Sequence, residues 1–327
     1  MTLWALTGGS GFLGLHLARR LLANGHAVRS LDLEPSELDE MESVVADVRD
    51  AAAARALCRG ADVVVHAAAA LPIRGSRRLL RSVNVDGTAT VLSAAAENGV
   101  RRVVYISSAV VLPRPIEAYG EAKADAERLC SEFAARGLEV TILRPQAFVG
   151  PGRLGIFGLL FRWVVEGRRI YMLGPGANRY QLLDVHDLVE AVLLAAERPV
   201  AGEALALGAA EFGTVAADLQ ALIDHAGSGS VLTPLPARPA RALLRVLHLA
   251  QLSPLSEWHY RTADRDCFVD VSAAERRLGW SPRYSNREVL ARAYDWYVSA
   301  ASGEHRLGST HRTAWDEKAL ALLRRLS

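Results

Sequence analysis

The segment LWALTGGSGFLGLHLARRLLANG, residues 3–25, constrains the fold more than any other part of the chain. A short apolar run ends in glycines. The run after it places Leu13, Leu17 and Leu21 at helical spacing before Gly25 supplies a stop. This order predicts a strand, a tight turn and a helix.

Four more apolar runs have the character of buried strands, with helical patterns between them. They are AVRSLD (27–32), ADVVVHAAA (61–69), RRVVYISS (101–108) and EVTILRP (139–145). Alternation of strands and helices implies a parallel sheet that helices cover on both faces. We therefore predict an α/β fold, a Rossmann-type doubly wound parallel sheet, with a smaller C-terminal α/β portion that binds substrate.

The turn between the first strand and helix is rich in glycine. Gly8, Gly11 and Gly14 lie at three-residue steps, and Gly9 with the last two also fits G-x-G-x-x-G. Such a turn lets the backbone contact a pyrophosphate at a helix N-terminus, although a turn of this composition can also be purely structural. An acid at the end of the second strand, Asp32, favours the binding interpretation.

The carboxylate of Asp32 would accept hydrogen bonds from an adenosine ribose and repel a 2′-phosphate, which favours NAD over NADP. A solvated acid in the loop LDLEPSE is the alternative. No arginine follows Asp32 in that loop, but Arg29 precedes it and is the basic group that could weaken the preference.

The pentapeptide YGEAK places Tyr119 one helical turn before Lys123. A surface tyrosine over a lysine stem would give the same spacing. In the chemical interpretation both groups reach one cofactor ribose. A phenol with a pKa of about 10 is a poor base at neutral pH, and a buried ammonium together with an oxidised nicotinamide would stabilise its phenolate.

Composition excludes several classes of protein. The chain has 327 residues, and its 38 Lys and Arg against 36 Asp and Glu give a formal charge of +2, so no basic surface for nucleic acid or an anionic membrane is indicated. Cys58, Cys130 and Cys267 are odd in number and lack metal-ligand spacing. No apolar run approaches the length of a membrane span. We expect a cytoplasmic protein with a small-molecule substrate, without metal, nucleic acid or membrane insertion.

An ordered set of motifs runs through the chain: TGGSGFLG, ADVRD with Asp47 and Val48, VVVHAAA, VNVDGT with Asn84, YISSA, YGEAK and LRPQAFVGPG. This set resembles the extended short-chain dehydrogenase/reductase family, specifically its NAD-dependent epimerase/dehydratase branch. YQLLDVHDLVEAV and DVSAAERRLGWSPRYSNREVL resemble the C-terminal half of that branch. The resemblance therefore covers nearly the whole chain.

The resemblance implies a role for each catalytic candidate. Tyr119 would be the general acid/base, and Lys123 would hold the nicotinamide ribose and lower the pKa of the tyrosine. Ser108 would bind the reacting oxygen, with Ser107 as the second choice. Asn84 would support the site from a helix beneath it, although it could be a plain helix cap.

The resemblance also implies a set of residues that contact NAD. Asp47 and Val48 match the adenine-contacting pair, and small residues at 67–69 let the backbone approach the cofactor; turn chemistry and tight packing are the alternatives. The full set is Gly8, Gly11, Phe12, Leu13, Gly14, Asp32, Asp47, Val48, Ala67, Ala68, Ala69, Tyr119, Lys123 and Pro145.

We predict an NAD-binding domain at residues 1–150 and a mainly substrate-binding region at 151–327, and the resemblance implies that later segments return to the first domain. Arg179 could neutralise a substrate diphosphate, or be a solvated surface arginine. Family members carry a longer segment between serine and tyrosine, so part of the substrate wall is missing here. Residues 238–255 predict an amphipathic helix that packs on its own domain, lines an apolar pocket or contacts a membrane surface. The segment TAWDEKALALLRRL is similar.

The leading hypothesis is an NAD-dependent enzyme that oxidises a secondary alcohol by hydride transfer, on a nucleotide sugar, as an epimerase or dehydratase. The first alternative is a dehydrogenase of an apolar hydroxy or keto compound, resembling the sterol-dehydrogenase side of the superfamily. A different class is a non-catalytic NAD(H)-sensing protein. The resemblance further implies a homodimer.

Overall fold

The computed structural model describes residues 2–72, 76–112, 117–198, 200–250, 252, 255, 257–300 and 312. The segment TAWDEKALALLRRL lies outside these residues. The strands are β1 (Leu3–Thr7), β2 (Ala27–Asp32), β3 (Glu42–Val45), β4 (Val63–His66), β5 (Arg102–Ile106), β6 (Glu139–Pro145), β7 (Ala147–Val149), β8 (Arg169–Leu173), β9 (Leu182–Asp184), β10 (Ala204–Leu207) and β11 (Val231–Leu235).

The helices alternate with the strands through the first half of the chain. They are α1 (Phe12–Ala23), α2 (Ala51–Cys58), α3 (Arg77–Arg81), α4 (Gly87–Glu97), α5 (Ala118–Ala135), α6 (Ile156–Val165), α7 (Val185–Glu197), α8 (Val215–Ala226), α9 (Ala237–Leu249), α10 (Glu257–Thr262), α11 (Ser272–Leu278) and α12 (Asn286–Ala300). A π-helical turn (Ser82–Asp86) joins α3 to α4. No helix in the described part of the chain is long and apolar enough to cross a membrane.

The central sheet confirms the predicted fold class. Its seven strands run in the order β10-β6-β5-β4-β1-β2-β3, and every neighbouring pair is parallel. The chain first builds outward from β1 to β3 and then crosses over to build outward from β4, which is the Rossmann-type order. Five of these strands were predicted from the sequence. The two outermost strands, β3 and β10, were not.

Burial explains why the central strands could be predicted from the sequence. β4 (VVVH) and β5 (RVVYI) are buried along their whole length. A parallel strand covered on both faces becomes a continuous apolar run rather than an alternating one. The core on one face of the sheet joins Val64, Val103 and Tyr105 to helix residues such as Leu57 and Leu92.

The chain forms two compact units. Unit 1 contains Met1–Gln146, Val185–Leu207 and Asp270–Ser281. Unit 2 contains Ala147–Asp184, Gly208–Val269 and Pro282–Ser327. The assignment of cofactor to the first region and substrate to the second stays a prediction.

Unit 2 is built on two small parallel sheets, β8 with β11 and β7 with β9. Its core includes Phe161, Trp163 and Tyr294. Asn286 joins its parts, because the side-chain oxygen accepts a hydrogen bond from Leu182 N at 2.8 Å and the amide donates to Asp218 at 2.8 Å.

Trp280 lies in the last segment of the chain that belongs to unit 1. It is almost fully buried, and its indole N–H donates to the carbonyl oxygen of Asp187 at 2.8 Å. Asp187 lies in the first turn of α7. A residue far along the sequence therefore adds a buried hydrogen bond to the first turn of a helix that covers the sheet.

Trp280→Phe should lower the free energy of unfolding by about 0.5–1.5 kcal/mol, because the buried hydrogen bond from the indole to the Asp187 carbonyl is lost. Trp4→Phe is the matched control. Trp4 is also buried in unit 1, but its indole N–H meets no acceptor within the described residues. Urea unfolding of both variants isolates the hydrogen bond, and an equal loss of stability in the two would contradict this assignment.

Candidate active site

The predicted cofactor residues meet at one edge of the central sheet. Because all seven strands are parallel, their carboxyl ends lie on the same side. Thr7 ends β1, Asp32 ends β2, His66 ends β4, and Pro145 ends β6. Ser108 follows the end of β5 by two residues. The structure thus brings the sequence-predicted residues Asp32, Ser108 and Pro145 to one edge within unit 1.

The glycine turn is a cradle that side chains would fill. Gly8 has φ of 74°, and a Cβ there would lie 2.9 Å from the backbone nitrogen of Ala68. A Cβ on Gly14 would lie 2.2 Å from the carbonyl oxygen of Gly8. Gly11 precedes α1, which begins at Phe12 and Leu13 without a side-chain cap. A bare backbone at an uncapped helix N-terminus fits a pyrophosphate.

The carboxylate of Asp32 is held by the same loop. Its two oxygens accept hydrogen bonds from the backbone N–H groups of Ser10 at 3.0 Å and Leu33 at 2.7 Å. Both donors fix the carboxylate beside the glycine turn. This position suits the predicted contact with a ribose hydroxyl.

Arg29 is committed elsewhere. Its guanidinium donates to the carbonyl oxygens of Ala56, Leu57 and Arg59 at 3.2, 3.1 and 2.7 Å, at the C-terminal end of α2. It also pairs with Glu42 at 2.8 Å. Each of these bonds satisfies a carbonyl or a charge that would otherwise lack a donor. The guanidinium of Arg29 thus has partners of its own, and the preference for NAD set by Asp32 stays a prediction.

Asp47 lies in the turn after β3 and pairs with Arg49. The guanidinium donates to both carboxylate oxygens, at 2.8 and 2.6 Å, and these hydrogen bonds lower the pKa of Asp47. Val48 packs on Gly87, where a Cβ would lie 2.8 Å from a Val48 methyl carbon. The turn chemistry and tight packing considered for these residues are present. Their contact with adenine stays a prediction.

A buried chain of hydrogen bonds supports the loop at residues 67–70. Ala68 N donates to Thr7 Oγ1 at 3.1 Å, and Thr7 Oγ1 lies 2.7 Å from His66 Nδ1. On the other side of the ring, His66 Nε2 lies 2.9 Å from Thr88 Oγ1. Thr88 in turn donates to the carbonyl oxygen of Asn84 at 2.7 Å.

The donors in this chain fix the tautomer of His66. Thr88 gives its one proton to the Asn84 carbonyl, so it accepts from Nε2–H of the histidine. Nδ1 then accepts the proton of Thr7. Burial lowers the pKa of His66 to about 3, and the charge of Lys123 acts in the same direction. The imidazole is neutral at physiological pH.

Asn84 binds the backbone of the loop at residues 67–70, and its support of an active site stays a prediction. Its side-chain oxygen accepts from Ala70 N at 2.8 Å, and its amide donates to Ala70 O at 3.1 Å. The side chain lies within the π-helical turn rather than at a helix cap. Asn84 thus holds the loop whose alanines were predicted to line the cofactor.

Lys123 is a buried cation at the end of β5. Its Nζ donates to the carbonyl oxygen of Ile106 at 2.8 Å and lies 4.8 Å from the centre of the Tyr105 ring. Burial lowers the pKa of Lys123 to about 8. The bond to Ile106 ties α5 to the strand that Ser108 follows.

Tyr119 lies one turn before Lys123 on α5, as the spacing predicted. Burial raises the pKa of its phenol to about 12 in the protein alone. Desolvation causes this rise, and the lowering expected from Lys123 is not seen in the protein alone. The positive charge of an oxidised nicotinamide is the remaining part of the predicted activation.

The two serines after β5 have different surroundings. The hydroxyl of Ser107 is buried and donates to Glu127, which also accepts from Arg144 Nε at 2.9 Å. Ser108 is less buried, and its Oγ accepts from Val110 N at 3.4 Å in a short 3₁₀ turn. The proton of Ser107 is thus committed to a buried carboxylate. This difference favours Ser108 as the substrate contact.

Sequence reasoning missed several of these partners. Thr7, His66 and Thr88 read as strand and helix residues with no sign of a shared role. Glu127 carried a weak signal, because it follows Lys123 by one helical turn and so lies on the same face. Arg144 carried none.

Arg179 belongs to unit 2. Its guanidinium carbon lies 4.4 Å from the ring centre of Phe212 and 5.2 Å from that of Phe268. Its backbone N–H donates to Asp266 at 2.8 Å. The side chain is exposed, so it is an oriented surface cation. A substrate contact stays a prediction.

Comparison with known proteins identifies relatives across almost the whole chain. The model of the NAD dependent epimerase/dehydratase family matches residues 4–208. The uncharacterized protein y4nG of Sinorhizobium fredii (strain NBRC 101917 / NGR234) is 36% identical over 97% of this chain and 84% of its own length.

A second relative and a solved structure have named activities or ligands. The 3 beta-hydroxysteroid dehydrogenase/Delta 5→4-isomerase of Mycobacterium tuberculosis (strain ATCC 25618 / H37Rv) is 28% identical over 90% of each chain. The structure of MoeE5 in complex with UDP-glucose and NAD superposes with a TM-score of 0.76. It is 27% identical and covers 92% of this chain and all of its own.

Asp32→Ala should reduce the preference for NAD over NADP, because the carboxylate that would repel a 2′-phosphate is lost. Arg29→Gln is the matched control. Since its guanidinium is committed to the end of α2, it should leave the ratio of the two dissociation constants unchanged. Fluorescence titration of NADH and NADPH measures both. A preference that depends on Arg29 and not on Asp32 would contradict the assignment.

His66 should make the fold sensitive to acid. The unfolded chain protonates this histidine near pH 6.5, whereas the folded chain does so only near pH 3. The free energy of unfolding should therefore fall as the pH drops through this window, by about 1.4 kcal/mol for each unit of pKa difference.

His66→Gln keeps a donor and an acceptor but does not titrate. Urea unfolding of both proteins from pH 7 to pH 4 should show a smaller loss in the variant, and equal losses would rule out His66 as the origin.

Proposed function

Because the chain belongs to the NAD-dependent epimerase/dehydratase family, a branch of the extended short-chain dehydrogenases/reductases, we propose that it oxidises a secondary alcohol by hydride transfer through Tyr119, Lys123 and Ser108. It is an enzyme, and its cofactor is NAD. Bound NAD supplies the hydride acceptor. The protein residues then orient the alcohol and take its hydroxyl proton.

The fixed position of Lys123 carries this proposal. The bond from its ammonium to Ile106 O holds α5 against the end of β5, so the helix that carries Tyr119 and the turn that carries Ser108 share one anchor. A surface tyrosine over a lysine stem would not bury the ammonium. The alternative interpretation of YGEAK, as a surface tyrosine over a lysine stem, therefore lacks support.

Each residue has a defined part in the proposed step. Ser108 Oγ binds the substrate oxygen. Tyr119 receives the proton of the substrate hydroxyl as the hydride leaves the carbon that bears this hydroxyl. Lys123 binds the nicotinamide ribose and stabilises the phenolate. Ser107 is not available for this work, because its hydroxyl serves Glu127.

The cofactor contacts predicted from the sequence are retained in the proposal. The glycine turn with the start of α1 would hold the pyrophosphate, and Asp32 the adenosine ribose. Asp47 and Val48 would contact adenine, while residues 67–69 and Pro145 would line the remaining cofactor. Unit 2 would contribute mainly substrate contacts.

For the substrate we propose an apolar secondary alcohol or the corresponding ketone. The support is the mycobacterial hydroxysteroid dehydrogenase, which is similar over 90% of this chain. A nucleotide sugar is the second candidate, favoured by the UDP-glucose in the MoeE5 complex and by the exposed cation of Arg179. A cytoplasmic location, suggested by an odd number of widely spaced cysteines, and a homodimer, suggested by the resemblance, are also proposals.

A substrate panel distinguishes the candidates. NADH formation and the thermal unfolding midpoint are measured with hydroxysteroids, simpler apolar secondary alcohols, UDP-glucose and UDP-galactose. Turnover and a raised midpoint with the apolar compounds are expected. Response to the UDP-sugars alone, lost in Arg179→Gln, would overturn the apolar proposal in favour of the second candidate.

Ser108→Ala and Tyr119→Phe should each lower turnover by about 10²-fold or more, because each removes a group that contacts the reacting oxygen. NAD binding and the unfolding midpoint should change little. Ser107→Ala is the matched control, and it should cost stability rather than activity, since Glu127 loses a donor. Near-normal turnover in Ser108→Ala with loss in Ser107→Ala would reverse the roles.

Lys123→Met should weaken NAD binding and raise the pH at which alcohol oxidation becomes fast. The phenolate of Tyr119 loses a neighbouring positive charge, so its pKa rises. NAD affinity and turnover against pH measure the two effects separately. An unchanged pH profile would restrict Lys123 to cofactor binding, and a non-catalytic NAD(H) sensor would show the binding loss without any turnover to measure.

A further inference from the structure

Helix α9 turns an apolar face outward. Arg238, Arg245 and Leu249 lie in one row along the helix, at spacings of seven and four residues. Leu243 and Val246 lie in the adjacent row. All five are exposed. The sequence predicted an amphipathic helix here. Packing of its apolar side chains on its own domain, the commonest arrangement of such a helix, does not describe this face.

The exposed fractions are unusual for such large side chains. Leu243, Val246 and Leu249 are 57%, 62% and 73% exposed, and Leu252 just beyond the helix is 51% exposed. Single exposed leucines are ordinary on a protein surface. Several contiguous ones on one helix face indicate a surface that something else covers.

The opposite side of α9 is anchored within unit 2. Leu244 is buried there, and Arg241 pairs with Asp264 at 3.0 Å. The helix is therefore fixed in its orientation. The exposure of its outward face is therefore not the result of a loosely attached helix.

The charges on the outward face indicate what covers it. The sequence of α9 contains no acid, and the nearby carboxylate of Asp264 is occupied by Arg241. A second copy docked on this face would bring Arg238 and Arg245 towards an apolar helix without any acid to pair them. An anionic phospholipid surface accepts both components, because leucine side chains enter the headgroup boundary while guanidinium groups bind phosphates.

We infer that α9 docks unit 2 on an anionic phospholipid surface, with the helix lying in the plane of the interface. No membrane span is involved. The inference goes beyond the proposed function and does not depend on it, although a lipid surface is where an apolar alcohol would be concentrated.

The test is sedimentation of the full-length protein with vesicles. Vesicles of phosphatidylcholine containing phosphatidylglycerol should carry the protein down, vesicles of phosphatidylcholine alone much less, and added salt should weaken the binding. Leu243→Ser with Val246→Ser should lower the partition coefficient about tenfold or more, because two apolar contacts are lost. Arg238→Gln with Arg245→Gln should lower it about 30-fold on anionic vesicles.

Matched controls separate this surface from general stickiness. Val231→Ser with Val298→Ser removes two valines that are 58% and 47% exposed elsewhere, and Arg55→Gln with Arg78→Gln removes two exposed charges from other helices. Both should keep vesicle binding. The unfolding midpoint and NAD affinity of every variant show that it is folded, and neither depends on the substrate.

Three outcomes would overturn the inference. The protein fails to sediment with anionic vesicles, or the control pairs lose binding as much as the α9 pairs do. The third outcome is a concentration-dependent dimer in analytical ultracentrifugation that the double substitution Leu243→Ser with Val246→Ser abolishes, while vesicles bind neither the wild-type protein nor this variant. That last result would assign the face to a second copy.

Discussion

The buried ammonium of Lys123 sets the electrostatics of the candidate active site. It donates to the carbonyl of Ile106 and lies over the ring of Tyr105, whose other neighbour is His66, with ring centres 5.5 Å apart. A second buried cation beside it would be very unfavourable. Burial and this charge together keep His66 neutral. A neutral ring has one donor and one acceptor, so the hydrogen bonds run in one direction, from the Ala68 N–H through Thr7 and His66 to Thr88 and the Asn84 carbonyl. The loop at residues 67–70 and helix α5 thus meet in one buried network, in which the charge on Lys123 adds to the effect of burial on His66.

A second buried arrangement supports the same region one turn further along α5. Glu127 accepts from Ser107 and from Arg144, so a carboxylate, a hydroxyl and a guanidinium satisfy each other at the ends of β5 and β6. A buried carboxylate is tolerated only with such partners. This arrangement distinguishes the two adjacent serines. Ser107 is held as a donor to Glu127, whereas Ser108 lies at the edge of the sheet without that bond.

The sequence indicated those parts of the molecule whose burial or backbone geometry leaves a local pattern. The five central strands appeared as short apolar runs, and the glycine turn carried its own spacing because Gly8 and Gly14 approach other backbone atoms too closely for a side chain. β3 escaped notice because it is an exposed edge strand of four residues, and β10 because its sequence, ALAL, consists of residues that favour helices. The partners of His66, Glu127 and Arg29 are separated by tens of residues, and their contacts follow from strand order rather than local spacing. Helical periodicity likewise predicts that α9 has an apolar face. It does not specify whether that face is buried or exposed, because this depends on what the helix packs against.

Unit 1 is assembled from three separate stretches of chain, and this has a consequence for biosynthesis. While a ribosome has released only the first 146 residues, β6 is an open edge of the sheet, because its neighbour β10 begins at residue 204. The carbonyl of Asp187 must wait still longer for the indole of Trp280. An unpaired strand edge is a template for pairing with other chains. The nascent unit 1 therefore has most of its residues but an unprotected sheet edge until β10, residues 204–207, emerges.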